Sequence, residues 1–183
     1  MTSLEQTLSE IARFLASARA PYMVIGGLAV SAWAAPRTTL DVDVTVHVPD
    51  VDVPAFVERL TGVFRVLVND PVSFARARRV LPLETTTGGR IDLVFALLPF
   101  EEAAIARAKP CAFGDIEVPV CSPEDLIIHK VISERARDRD DVRSIITAQR
   151  DAIDRAYLDP IVAALASDLE RSEIAEFYRS CWD

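Results

Sequence analysis

From Arg37 to Val48 polar and apolar positions alternate strictly. Val42, Val44, Val46 and Val48 fall on one side of an extended chain, and Asp41, Asp43, Thr45 and His47 on the other. This is the clearest strand in the sequence. Ahead of it, Leu4, Leu8, Ile11, Phe14 and Leu15 recur at helical spacing. Ser3 and Gln6 offer a capping box, and Pro21 ends that helix near Ala20. The apolar run Tyr22 to Ile25 predicts a short buried strand, Gly26-Gly27 a tight turn, and Leu28 to Ala34, stopped by Pro36, a short helix.

Beyond the alternating strand, Asp52 and Pro54 suit the first turn of a helix over 53–60. Strands are predicted at 63–68, 79–86 and 90–97, the last two as a hairpin through Gly88-Gly89. A helix over 100–108 and a second hairpin over 111–120, turning at Gly114-Asp115, follow. From Ser122-Pro123-Glu124-Asp125, a strong helix start, the chain is helix-compatible to Trp182. The expected fold is α/β of the α+β kind, a mixed sheet flanked by helices over 1–121. A helical C-terminal segment, 122–183, packs its Ile161, Val162, Leu165, Leu169, Ile174 and Phe177 on that core.

Composition narrows the partners. With 183 residues, half of them hydrophobic, the chain is about one domain with an appended segment, and no apolar run reaches the ~18 residues of a membrane span. The N-terminal stretch lacks the regions of a secretory signal, so a cytoplasmic location is expected. Cys111, Cys121 and Cys181 are not spaced as metal ligands or as a redox pair. A net charge of -8 gives no broad basic field for nucleic acid. Arg76, Arg78 and Arg79, and Arg135, Arg137, Arg139 and Arg143, read as solvated faces, the second group interleaved with acids.

The chemistry concentrates on carboxylates. Asp41 and Asp43, one residue apart on a strand, project to the same side and repel one another unless a cation such as Mg²⁺ lies between them. Asp92, in the apolar strand Arg90 to Leu97, is the candidate third carboxylate if that strand is adjacent. Upstream, Gly26-Gly27 lets the backbone come close to phosphate oxygens.

These residues resemble a known family. Ile25-Gly26-Gly27-Leu28-Ala29-Val30 followed by Pro36-Arg37-Thr38-Thr39-Leu40-Asp41-Val42-Asp43-Val44 is similar to the signature of the nucleotidyltransferase superfamily, the DNA polymerase beta-like fold. The likeness is greatest to AbiEii-type toxins and related bacterial nucleotidyltransferases, and extends to the aminoglycoside nucleotidyltransferases. Ser122 to Val142 resembles the helical continuation of the AbiEii group, so roughly residues 20 to 145 are covered. Gly27 is followed by Leu28 rather than serine, which argues against the minimal, antitoxin-like members.

The resemblance implies that Asp41, Asp43 and Asp92 are catalytic and ligate one or two Mg²⁺ ions, with Asp92 helping to deprotonate the acceptor hydroxyl. It implies that Gly26, Gly27 and Lys130 meet the triphosphate of the NTP. Arg37 and Thr39 share the face of Asp41 if the strand starts that early, which makes them candidates for phosphate contact. Asp138 and Asp141 follow the family pattern and also suit helix pairing, whereas His47 and His129 read as a strand end and a packing residue. The leading expectation is transfer of an NMP to a hydroxyl of tRNA or protein, as the toxin of a pair with an antitoxin protein as partner. The alternatives are an enzyme modifying a small hydroxylated antibiotic, to which a net acidic chain is suited, and a catalytically silent module of the same fold that binds nucleotide or a partner.

Overall fold

The computed structural model describes residues 2–183, and the chain divides into two compact units. One is the chain up to Leu28 together with Thr38–Cys121; the other is Ala29–Arg37 with Ser122–Asp183.

The first unit contains α1 (Ser3–Ala18), β1 (Tyr22–Val24), the start of α2 (Gly26–Trp33), β2 (Asp41–Val46), α3 (Val53–Thr61) and β3 (Arg65–Val66). It continues with α4 (Pro71–Arg78), β4 (Val80–Glu84), β5 (Arg90–Phe95), α5 (Pro99–Arg107), β6 (Lys109–Phe113) and β7 (Ile116–Val120). Among the described residues, these strands form one seven-stranded mixed sheet in the order β3-β4-β5-β2-β1-β7-β6. β3 with the hairpin β4–β5 forms one flank and the hairpin β6–β7 the other, and β2 lies between parallel β5 and antiparallel β1. Val42, Val44 and Val46 of β2 and Ile91, Leu93 and Phe95 of β5 are buried. Phe14 of α1 meets Phe56 of α3 edge-on at 5.7 Å, and Phe56 meets Phe95 at 6.0 Å. Burying each such side chain stabilises the unit by about 1.5–3 kcal/mol. The period of two leaves the other face of the same strands to Asp41, Asp43 and Asp92.

Several local expectations change. The strand with the clearest alternation begins at Asp41, not Arg37, because its pairing with β5 begins at the Asp41–Arg90 pair and residues 37–40 precede it. Helix α1 is capped by Thr2 and Glu5 rather than Ser3 and Gln6. The Glu5 amide donates to Thr2 Oγ1 at 3.2 Å and the Thr2 amide donates to Glu5 Oε2 at 2.7 Å, which places a charged carboxylate at the helix start. No turn separates β1 from α2: Gly26 is both the turn and the first helical residue. Asp52 precedes α3 without a side-chain capping bond. The strands expected over 63–68 and 79–86 are shorter, and an unforeseen helix, α4, lies between them. Its cap is Asp70, whose Oδ1 accepts from the Ser73 amide at 3.1 Å, with Pro71 in the first turn.

The second unit holds the end of α2 with α6 (Pro123–Val131), α7 (Ala136–Gln149), α8 (Arg155–Asp168) and α9 (Ser172–Ser180). Ser122 caps α6, its Oγ accepting from the Asp125 amide at 3.2 Å. Gln149 Nε2 donates to the Trp33 carbonyl at 2.7 Å, which ties α7 to the end of α2. Ile127, Val142, Ile145, Ile146, Leu158, Val162 and Ile174 are buried in this unit, while Leu169 is exposed. Among the described residues, no helix is long and apolar enough to cross a membrane.

Candidate active site

The parallel pairing of β2 and β5 brings the first unit's acids together. Asp41 stands opposite Arg90 and Asp43 opposite Asp92, and partners in register share a face of the sheet. One strand further, antiparallel β4 places Pro82 opposite Asp92 and Glu84 opposite Arg90. Two rows result across neighbouring strands: Glu84–Arg90–Asp41 at the strand ends, and Pro82–Asp92–Asp43 two residues further in. Asp41, Arg90 and Asp92, with Leu67, Pro82, Leu83 and Ile91, line a cavity of about 230 Å³.

Asp43 occupies the inner side of this cluster, against the start of α2. The Ile25 amide donates to the Asp43 carbonyl at 2.9 Å, which fixes the end of β1 on β2. The chain then turns through Gly26 at φ 64, a left-handed conformation that glycine adopts without steric cost. A Cβ at position 26 would overlap the Asp43 carboxylate, so conformation and space both require glycine there. Gly26 and Gly27 thus open a helix directly beside a carboxylate. A helix start concentrates partial positive charge, and at Gly26 the space a Cβ would take is filled by the Asp43 carboxylate.

The electrostatics match the register. Partial burial and the charge of Asp41 push Asp92 above the ordinary carboxylate value, and Arg90 offsets part of the rise. Like charges facing one another across strands are destabilising, and an all-oxygen donor set is what a hard divalent cation such as Mg²⁺ takes. Among the described residues, no three His, Cys, Asp or Glu side chains are gathered closely enough to hold an ion by themselves.

The remaining candidates distribute differently. Thr39 lies just ahead of β2 rather than on its face, and its Oγ1 donates to the Asp41 carbonyl at 3.3 Å. Arg37 and Lys130 belong to the second unit and come together there around Asp141. Arg37 Nε is 3.2 Å from Asp141 Oδ1, and Lys130 Nζ is 2.8 Å from Asp141 Oδ2 and 2.7 Å from Asp138 Oδ1. Lys130 is only 7% exposed. Ser133 Oγ and Arg135 Nε donate to Asp138 Oδ2 at 2.8 and 2.6 Å. Burial works to raise the pKa of Asp138, but the hydrogen bonds from Lys130, Ser133 and Arg135 outweigh it and leave the group below its ordinary value. His47 Nδ1 lies 3.4 Å from Glu102 Oε1, and His129 is half-buried on α6.

Reasoning from the sequence singles out neither Arg90 nor Glu84. Glu84 Oε2 is 3.3 Å from Arg90 Nε and its Oε1 is 3.0 Å from Arg65 Nη2, so one half-buried carboxylate clamps two guanidinium groups beside Asp41. Arg65, Glu84 and Arg90 are scattered along the chain, and only the register joins them.

The fold has relatives among solved structures. ANT(2″)-Ia, determined with adenylyl-2″-tobramycin, superposes with a TM-score of 0.62 at 16% identity, over 92% of this chain and 99% of its own. An antigenic nucleotidyltransferase-like protein from Paracoccidioides brasiliensis gives 0.56 at 18% identity, over 96% and 92%. The lincosamide adenylyltransferase LnuA, bound to lincomycin, gives 0.54 at 14%, over 79% and 97%. At these identities the likeness is one of fold. Comparison with curated proteins gave no sequence match. The sequence profile described as nucleotidyl transferase AbiEii toxin, Type IV TA system, matches residues 12–179. With the profile spanning both units and the nucleotidyltransferase fold beneath it, the chain belongs to the AbiEii family and is a nucleotidyltransferase.

Proposed function

We propose that this enzyme moves an NMP from a Mg²⁺-bound NTP to a hydroxyl of a macromolecular acceptor, tRNA or protein, with release of pyrophosphate, as the toxin of a toxin-antitoxin pair. The observation that supports it is the register of β2 with β5, which faces Asp43 with Asp92 next to a glycine-opened helix. In this reading Asp41 and Asp43 hold the metal, Asp92 accepts the proton of the attacking hydroxyl, and Gly26 and Gly27 face the triphosphate. Thr39 steadies the backbone at Asp41 through its hydrogen bond to that carbonyl. A bound divalent cation would supply the charge that stabilises both attacking and leaving oxygens. Asp92, with its raised pKa, is a better proton acceptor than an ordinary carboxylate. Lys130 and Arg37 secure Asp138 and Asp141 within the helical unit.

A small polycationic acceptor is the second reading, favoured by the net charge of -8. The deciding experiment incubates the protein with each α-labelled NTP and Mg²⁺, and in turn with total tRNA, cell protein and aminoglycosides. Label should pass to tRNA or protein, and Asp43→Ala should lower the transfer rate about 10²- to 10³-fold. Transfer to aminoglycosides alone selects the second reading, and no transfer to any acceptor overturns both.

A further inference from the structure

The strand ends beside Asp41 carry a row of alternating charge, Arg65–Glu84–Arg90–Asp41, on four adjacent strands and one face of the sheet. Glu84 is largely buried and each of its oxygens pairs with one guanidinium, which biases the orientation of Arg65 and Arg90 although their own side chains are 68% and 54% exposed. Arg65, Glu84 and Arg90 together carry one net positive charge. Of the three, Arg90 itself lines the cavity, together with Asp41, Asp92, Leu67, Pro82, Leu83 and Ile91.

On the nucleotidyl-transfer reading an acceptor brings its hydroxyl to Asp92, whose strand neighbours carry Asp41 and Asp43, in a chain of net charge -8. Any acceptor with a phosphate near that hydroxyl would be repelled without a local cation. A guanidinium held in a fixed orientation is suited to a phosphate, because it can donate two parallel hydrogen bonds. We propose that Arg90, clamped by Glu84, is the specificity-determining residue of the acceptor side and selects an acceptor that carries a phosphate next to its hydroxyl. This inference rests on the nucleotidyl-transfer reading of the same site.

The test is equilibrium binding of the dinucleotide CpA against adenosine, which offers the same terminal sugar without the phosphodiester. It is run with Mg²⁺ and a saturating non-transferable NTP analogue that fills the nucleotide site. CpA should bind about tenfold more tightly than adenosine, one charge-assisted contact being worth at least that factor. Arg90→Gln should cut the advantage below about threefold with adenosine affinity unchanged. Glu84→Gln should lose part of it, and Arg90→Lys should be intermediate. Arg90 is exposed, and a thermal melt confirms that the variants fold. Binding of neither compound, equal binding by the native protein, or equal weakening of both by Arg90→Gln overturns the proposal. Failure of the broader reading shows separately, as absence of label transfer by the native protein to every acceptor.

Discussion

Two groups of aspartates in this chain meet opposite fates. In the helical unit, Asp138 and Asp141 are buried and surrounded by donors: Lys130 touches both, Arg37 reaches Asp141, and Ser133 and Arg135 reach Asp138. On the sheet, Asp41, Asp43 and Asp92 are set side by side by strand register, and Asp92 is pushed above its ordinary pKa while Asp138 is held below it. Where the chain supplies the cations, acids fasten helices. Where it lines acids up against one another, partial burial and the charge of one raise the pKa of the next, as burial and Asp41 do for Asp92.

The sharpest way to break this contrast is to remove the shared cation of the buried group. Lys130→Met should destabilise the protein by about 3–5 kcal/mol in urea unfolding, because two carboxylates lose their common partner. Asp43→Ala should act chiefly on the chemistry, lowering the transfer rate about 10²- to 10³-fold in the label assay with the fold retained in urea unfolding. Added Mg²⁺ with NTP should raise the melting temperature of the native protein and not of that variant. Gly26→Ala joins the two effects. The positive φ and the overlap with Asp43 should cost about 1–2 kcal/mol and remove nucleotide binding, measured by melting and by titration with a nucleotide analogue.

The pH response should have opposite signs at the two sites. Asp138 has a folded pKa below 3.8, so its stabilisation is present above that value and is lost as pH falls through the depressed folded pKa. Asp92 has a folded pKa above 3.8, so its ionisation opposes folding at neutral pH and the opposition fades as pH falls towards that value. Metal-free melts from pH 7 to pH 3 should therefore show Asp92→Asn as more stable than native at pH 7, with the gain vanishing in acid, and Asp138→Asn as less stable at pH 7. The smallest effect belongs to exposed pairs such as Arg143–Asp140, 3.0 Å apart, where Asp140→Asn should change stability by no more than about 0.5 kcal/mol.

What the sequence made legible follows from the range over which its signals act. The valine–aspartate alternation of β2 and the Ser122 helix start are local patterns and were readable directly. The limit of β2 at Asp41 was not, because it depends on where β5 begins to pair. Helix α4 is hidden in the sequence because the Asp70-Pro71 start lies between two apolar stretches that read as strands. Arg65, Glu84 and Arg90 were invisible for the same reason as the strand limit: cross-strand neighbours are named by register, which no spacing in the chain encodes. Lys130 could be singled out by its place in the family pattern, but its pairing with Asp138 and Asp141 needed the fold of α6 against α7.

The parallel pairing of β2 with β5 also sets a clock. Asp43 and Asp92 are about fifty residues apart, and parallel neighbours of that separation close late because a long loop must be ordered first. A growing chain carries its glycine turn and first two aspartates well before the third is synthesised. On the proposed reading, the site stays incomplete through early synthesis and is assembled only when the β4–β5 hairpin docks on β2.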